Sequence, residues 1–195
     1  MNRNRLTKTV LAAALAAIPM MAAAESDLNA AAGALTANAR LDFRITIPRF
    51  LYLAVGTSTA LADNTTVDRV DFNVPLASLG TGAFAPTSAT GAGHPVPVRL
   101  IGNGGAIGLV STTTTAGLVS GTDTIAWTTI TGVGTGGITH PNFINNGTSA
   151  SQAIAATSGT KVTDRTGTFT YSYSNAAIVP DGTYNGQVTY TASMP

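Results

Sequence analysis

The sequence predicts an all-β chain folded as an antiparallel β-sandwich, and three observations lead there. Apolar residues recur at every second position in several short segments, the period of a strand with one face inward and one outward. Clusters of Gly, Pro, Asn and Asp punctuate those segments. No convincing long amphipathic helix interrupts them, and short strands with turn signals and no helices build sheet-on-sheet layers.

The N-terminus reads differently. Arg3, Arg5 and Lys8 precede an apolar run from Val10 to Met21, and Ala22-Ala23-Ala24 then supplies small residues before Glu25. Residues 1–24 are therefore expected to be a secretory signal peptide. The apolar run is too short for a bilayer, which needs about 20 residues, so no transmembrane span is expected in the mature chain. Without cysteine, lipid acylation, disulfides and thiolate zinc sites are all excluded. The expected location is exported: periplasm, cell surface or extracellular. Once the signal is removed, seven basic residues face nine acidic ones with no basic cluster. Nucleic acid is not an expected partner.

The mature chain has the size of one domain. Residues 25–39 are Ala-rich and fit a helical stripe, a strand alternation or a flexible leader equally. Residues 40–195 are expected to form a single β-sandwich domain. In Arg40 to Ile47, Leu41, Phe43, Ile45 and Ile47 alternate with Arg40, Asp42, Arg44 and Thr46. That is the pattern of a half-buried strand. Phe50 to Val55 follows as an apolar strand, and Val70, Phe72 and Val74 mark another. Leu79 to His94 reads as loop. Val96 to Ile101 reads as a strand whose Pro97 places it at a sheet edge or at a strand start. Gly102 to Gly105 has hairpin-turn chemistry, with Ala106 to Ser111 as the returning strand. Trp127, the only tryptophan, sits in Thr122 to Ile130 and is assigned to the core. Thr131 to Thr160 reads as long loop or irregular strands. Phe169, Tyr171 and Tyr173, then Tyr184, Gly186, Val188 and Tyr190, define a terminal strand pair around Pro180-Asp181-Gly182. An outer-membrane barrel would need aromatic girdles, and aromatics are only 6% of the chain.

No catalytic, cofactor-binding or metal-binding residue is assigned, and the chain is expected not to be an enzyme. Gly132 to Gly137 matches G-x-G-x-x-G, but no helix follows to hold a pyrophosphate. Ser158 to Lys161 matches S-x-x-K without the helix or the partner motifs that chemistry needs. His94 and His140, the two histidines, each neighbour a proline in loop-like sequence. Asp63, Asp68, Asp123 and Asp181 lack the spacing of a calcium loop.

The stretch Pro180-Asp181-Gly182-Thr183-Tyr184-Asn185-Gly186-Gln187-Val188-Thr189-Tyr190-Thr191 resembles the closing strand of bacterial surface β-sandwich subunits. These are fimbrial subunits of the chaperone–usher and spore-coat-U type, and cell-wall WxL-type domains. The likeness implies an Ig-like or pilin-like sandwich, with Tyr184 as a tyrosine-corner residue. It also implies a structural or adhesive surface subunit, joined to identical or related subunits by β-strand donation from residues after Glu25 or from Arg40 to Ile47. Two features depart from the families: many fimbrial subunits have a disulfide, and Tyr190-Thr191-Ala192 stands where WxL domains have Trp-x-Leu. A carbohydrate- or cell-wall-binding module is the alternative. It would present Trp127, Tyr171, Tyr173 or Tyr190 in a row facing solvent. A hydrolase would need His94 or His140 beside a serine and an acid.

Overall fold

The computed structural model describes residues 25–57, 61–91, 94–159 and 161–195. The expected signal peptide lies outside the described residues. By contacts the chain divides into Met1–Ile47 and Pro48–Pro195. The second unit is an all-β sandwich of antiparallel sheets, as the strand periodicity predicts.

The larger sheet is built on alternating apolar strands. In chain order the strands are β1 (Leu51–Val55), β2 (Arg69–Asp71), β3 (Gly82–Phe84), β4 (Ser88–Thr90), β5 (Val96–Gly102), β6 (Ile107–Thr113) and β7 (Gly117–Ser120). They continue as β8 (Asp123–Ala126), β9 (Ile130–Gly134), β10 (Gly147–Thr148), β11 (Gln152–Ile154), β12 (Thr163–Asn175) and β13 (Val188–Ser193). β1 pairs with β5 and β5 with β12; β9 takes the opposite side of β12, and β3 pairs with its last residues. In the second sheet β6 is central, with β13 on one side and β10 and β11 in succession on the other. β2–β4 and β7–β8 form two small ribbons.

The core lies between the sheets. Val96, Val98 and Leu100 of β5 and Phe169, Tyr171 and Tyr173 of β12 meet Ile107 and Leu109 of β6. Phe169, Leu100 and Leu109 have no solvent exposure. Trp127 is buried, as assigned, in a short 3-10 turn, with its Nε1–H donating to Thr115 Oγ1 at 3.2 Å.

Several local expectations are corrected. Arg40 to Ile47 forms no strand: Leu41, Phe43, Ile45 and Ile47 are 75–87% exposed. Its alternation is real, but no sheet partner uses it among the described residues. The glycine turn after β5 is no hairpin, because β5 is already paired on both sides and β6 belongs to the other sheet. For the same reason β12 and β13 are not partners, and the Pro180 turn carries the chain between sheets. β5 is central, with Pro97 near its start, where the Pro97 carbonyl accepts the Gly56 N–H at 2.8 Å. Leu79 to His94 contains β3 and β4, and only Arg69–Asp71 of the next predicted strand pairs. Thr131 to Thr160 contributes β10, β11 and most of β9, and it buries Ile138, His140, Pro141 and Phe143.

Phe169→Ala is expected to cost about 3–5 kcal/mol, from the lost burial plus the cavity left behind. Phe43→Ala should change the stability of the monomer by less than about 0.5 kcal/mol. Urea unfolding at dilute concentration measures both.

Candidate functional site

The last strand of the second unit supplies one candidate surface. Along β13, Val188, Tyr190 and Ala192 turn inward and stay half-buried, while Thr189, Thr191 and Ser193 face solvent. One edge of β13 bonds to β6. The other has no backbone partner among the described residues. β1 lies against β13 from the opposite sheet, and its Leu53 and Val55 are also half-buried. Nearby, Leu51 is 37% and Phe50 43% exposed. An apolar strip therefore runs along this side of the sandwich, only partly covered.

β1 also borders a cleft of about 530 Å³, with Asp63, Asn64, Thr65 and Thr66 on its far wall. Among the described residues lining it, Asp63 is the one carboxylate.

The exposed segment of the first unit is a separate feature. Residues 25–47 contain no helix or strand. Within them Arg40 Nε meets Glu25 Oε2 at 2.8 Å, which holds the Glu25 carboxyl below its ordinary value. Asn38 N–H donates to Asp27 Oδ2 at 3.2 Å. Polar bonds thus close residues 25–40 into a loop turning near Gly33, and the apolar row Leu41, Phe43, Ile45, Ile47 follows it.

Beneath β13 the buried polar groups converge. His140 is 5% exposed and packs edge-on against Phe143, Phe169, Tyr171 and Tyr190. Its Nε2 lies 2.8 Å from the Tyr190 hydroxyl, which lies 2.9 Å from the Tyr171 hydroxyl. Nδ1 has no partner. With the proton on Nε2, the ring leaves only a lone pair unmatched, the cheaper arrangement because orphaned buried N–H groups are the rarer defect. Burial pulls the His140 pKa down to about 4 and pushes Tyr171 up to about 12; Tyr190 is raised as well. The ring lies so close to Gly132 that a Cβ there would collide with it, and a Cβ at Gly134 would strike the Ile138 carbonyl. Those two glycines admit the Ile138–His140 segment against β9. They start no nucleotide turn.

The other sequence candidates separate. His94 Nε2 accepts the Tyr171 N–H at 3.0 Å, a bond that satisfies the backbone of β12. Neither that bond nor the His140–Tyr190 pair includes a serine or a carboxylate. Ser158 bridges Val162 across a tight turn, without the helix S-x-x-K requires. Among the described residues no three His, Asp or Glu side chains gather to hold a metal, and no helix is long and apolar enough to cross a membrane. Trp127, Tyr171 and Tyr173 are buried and Tyr190 is half-buried, so they present no outward row for sugar stacking. Tyr184 does tie its turn, donating to the Pro180 carbonyl at 2.9 Å. The His140–Tyr190–Tyr171 chain was not legible in the sequence, because its members lie 19 to 50 residues apart.

Because the unfolded chain binds the His140 proton near pH 6.5 and the folded chain only near 4, this group weakens the fold as pH falls. Its contribution is whole above about pH 6.5, declines below it and levels off under about pH 4, a span of up to about 3 kcal/mol. His140→Gln removes this part of the pH slope, measurable as urea midpoints between pH 7 and 4. Searches against protein-family models, curated proteins and solved structures give no match to this chain.

Proposed function

We infer that the chain is a non-enzymatic, exported structural or adhesive surface subunit of the fimbrial kind, which assembles by β-strand donation. The observation that carries this reading is the pairing of two unsatisfied features within one sequence. Among the described residues, 41–47 hold an exposed apolar row and one edge of β13 has no backbone partner.

The two match in chemistry and in length. Seven extended residues span about 20 Å, and the six of β13 span a similar length. Laid beside β13, Leu41, Phe43, Ile45 and Ile47 would cover the strip left by Val188, Tyr190, Ala192 and Leu53, with Arg40, Asp42 and Arg44 outward. Pairing adds main-chain bonds, and the alternate side chains add specificity. Monomeric proteins guard exposed edges with charge, proline or bulges. β13 reads Val-Thr-Tyr-Thr-Ala-Ser and has no charge and no proline.

Burying four such side chains is worth about 6–12 kcal/mol before the cost of association, which is of comparable size. The purified protein should therefore form concentration-dependent assemblies, visible by light scattering behind a sizing column. Phe43→Asp or Ile45→Asp should weaken assembly by about 100-fold or more while leaving the monomer folded. Assembly that ignores both substitutions would refute the reading.

A further inference from the structure

β12 carries a charged side chain on its core face. The inward residues alternate as Thr163, Arg165, Gly167, Phe169, Tyr171 and Tyr173, and all but Arg165 and Gly167 are buried. Arg165 stands opposite Leu100 of β5 and is half-buried. Its Nη2 donates to the Ala155 carbonyl at 3.3 Å, just past β11, so the side chain reaches from one sheet to the other. Its Nε–H is buried and has no partner. Among the described residues no carboxylate pairs with it. The neighbouring Asp164 lies on the outer face of β12, with its Oδ1 4.0 Å from Arg99 Nη2.

No strand flanks β12 at this point. The β9–β12 ladder runs only as far as Gly134 opposite Phe169, and the Thr135 N–H then donates to the Thr168 carbonyl at 3.0 Å. Past that bond, a glycine turn takes the place of a strand beside Arg165. Gly137, with φ +75°, sits where a Cβ would lie 3.0 Å from Arg165 Nη1. Any other residue there would press a side chain onto the guanidinium, in a backbone conformation that favours glycine.

A half-buried cation without a counter-charge is costly, and an anion that supplies the charge gains accordingly. A guanidinium has five N–H donors. One meets Ala155 and one is sealed at Nε, which leaves three on Nη1 and Nη2. Parallel donors from those two nitrogens form the fork that one carboxylate fits. We propose that Arg165 is the centre of a binding site for a carboxylate-bearing ligand, on the flank where β9 and β12 part. The core face of β12 has no second cation, so a single carboxylate balances the charge and a phosphate dianion does not. The site involves neither β13 nor residues 41–47, and it stands apart from strand donation.

The Arg165 Nε–H gives a local NMR signal, because burial shields that proton from exchange with water. Sodium acetate, titrated into the purified protein at pH 7 with sodium chloride holding the ionic strength constant, should move this signal along a saturating curve. Sodium phosphate should move it more weakly. Arg165→Lys keeps the charge and loses the fork; it identifies the signal by its absence. In that variant the gain in urea midpoint that acetate gives over chloride should at least halve, whereas a merely structural role for Arg165 would lower stability equally in both salts. No saturating shift in acetate, or the same shift in chloride alone, refutes the site. Tighter binding of phosphate refutes the carboxylate assignment. Should Arg165→Lys lose its β signal in circular dichroism, the wild-type titration on arginine-labelled protein decides alone.

Discussion

Each strand of a sheet carries N–H and C=O groups to both of its edges, and in a buried setting those groups must find partners. β5, β6 and β12 meet that demand on both sides, and they hold most of the core. β13 meets it on one side only. Val188, Tyr190 and Ala192 are half-buried beside that edge, where no described strand covers them. The apolar strip beside β1 is the side-chain counterpart of the unpaired backbone.

β13 is nonetheless anchored from below. Tyr190 reaches into the core to meet both His140, from the irregular segment after β9, and Tyr171, from the opposite sheet. In a chain without cysteine, this polar chain joins the two layers where some exported sandwiches use a disulfide. A hydrogen-bonded network in a low-dielectric interior specifies geometry strongly when its members are matched. Burial disfavours the charged ring and holds His140 neutral, which leaves its Nδ1 as the unmatched atom of the network.

β12 and β13 were legible from alternation, β1 and β5 as short apolar runs bounded by turn residues, and β6 only as the strand expected after the glycine turn. What alternation could not supply was pairing. Gly102 to Gly105 has the residues of a hairpin turn, and local sequence is silent on whether the next strand returns to the same sheet. The same silence hid the crossing at Pro180. Residues 41–47 show the reverse case, in which the strand pattern is present and the sheet is not, because periodicity records what a segment can pair with and not whether the partner lies in the same chain. The segment 138–143 escaped notice since its buried residues follow no regular period; only the glycines at 132 and 134, spaced to admit it, left a trace. Asn103 was read as turn chemistry, whereas its side chain extends the β1–β5 ladder.

Strand donation would also limit the symmetry of an assembly. Donation in one direction joins two different surfaces and is heterologous, giving rings or filaments, whereas reciprocal exchange between two copies would close a two-fold dimer. A filament built by one-way donation would have polarity, with a vacant edge at one end and an unspent apolar tail at the other.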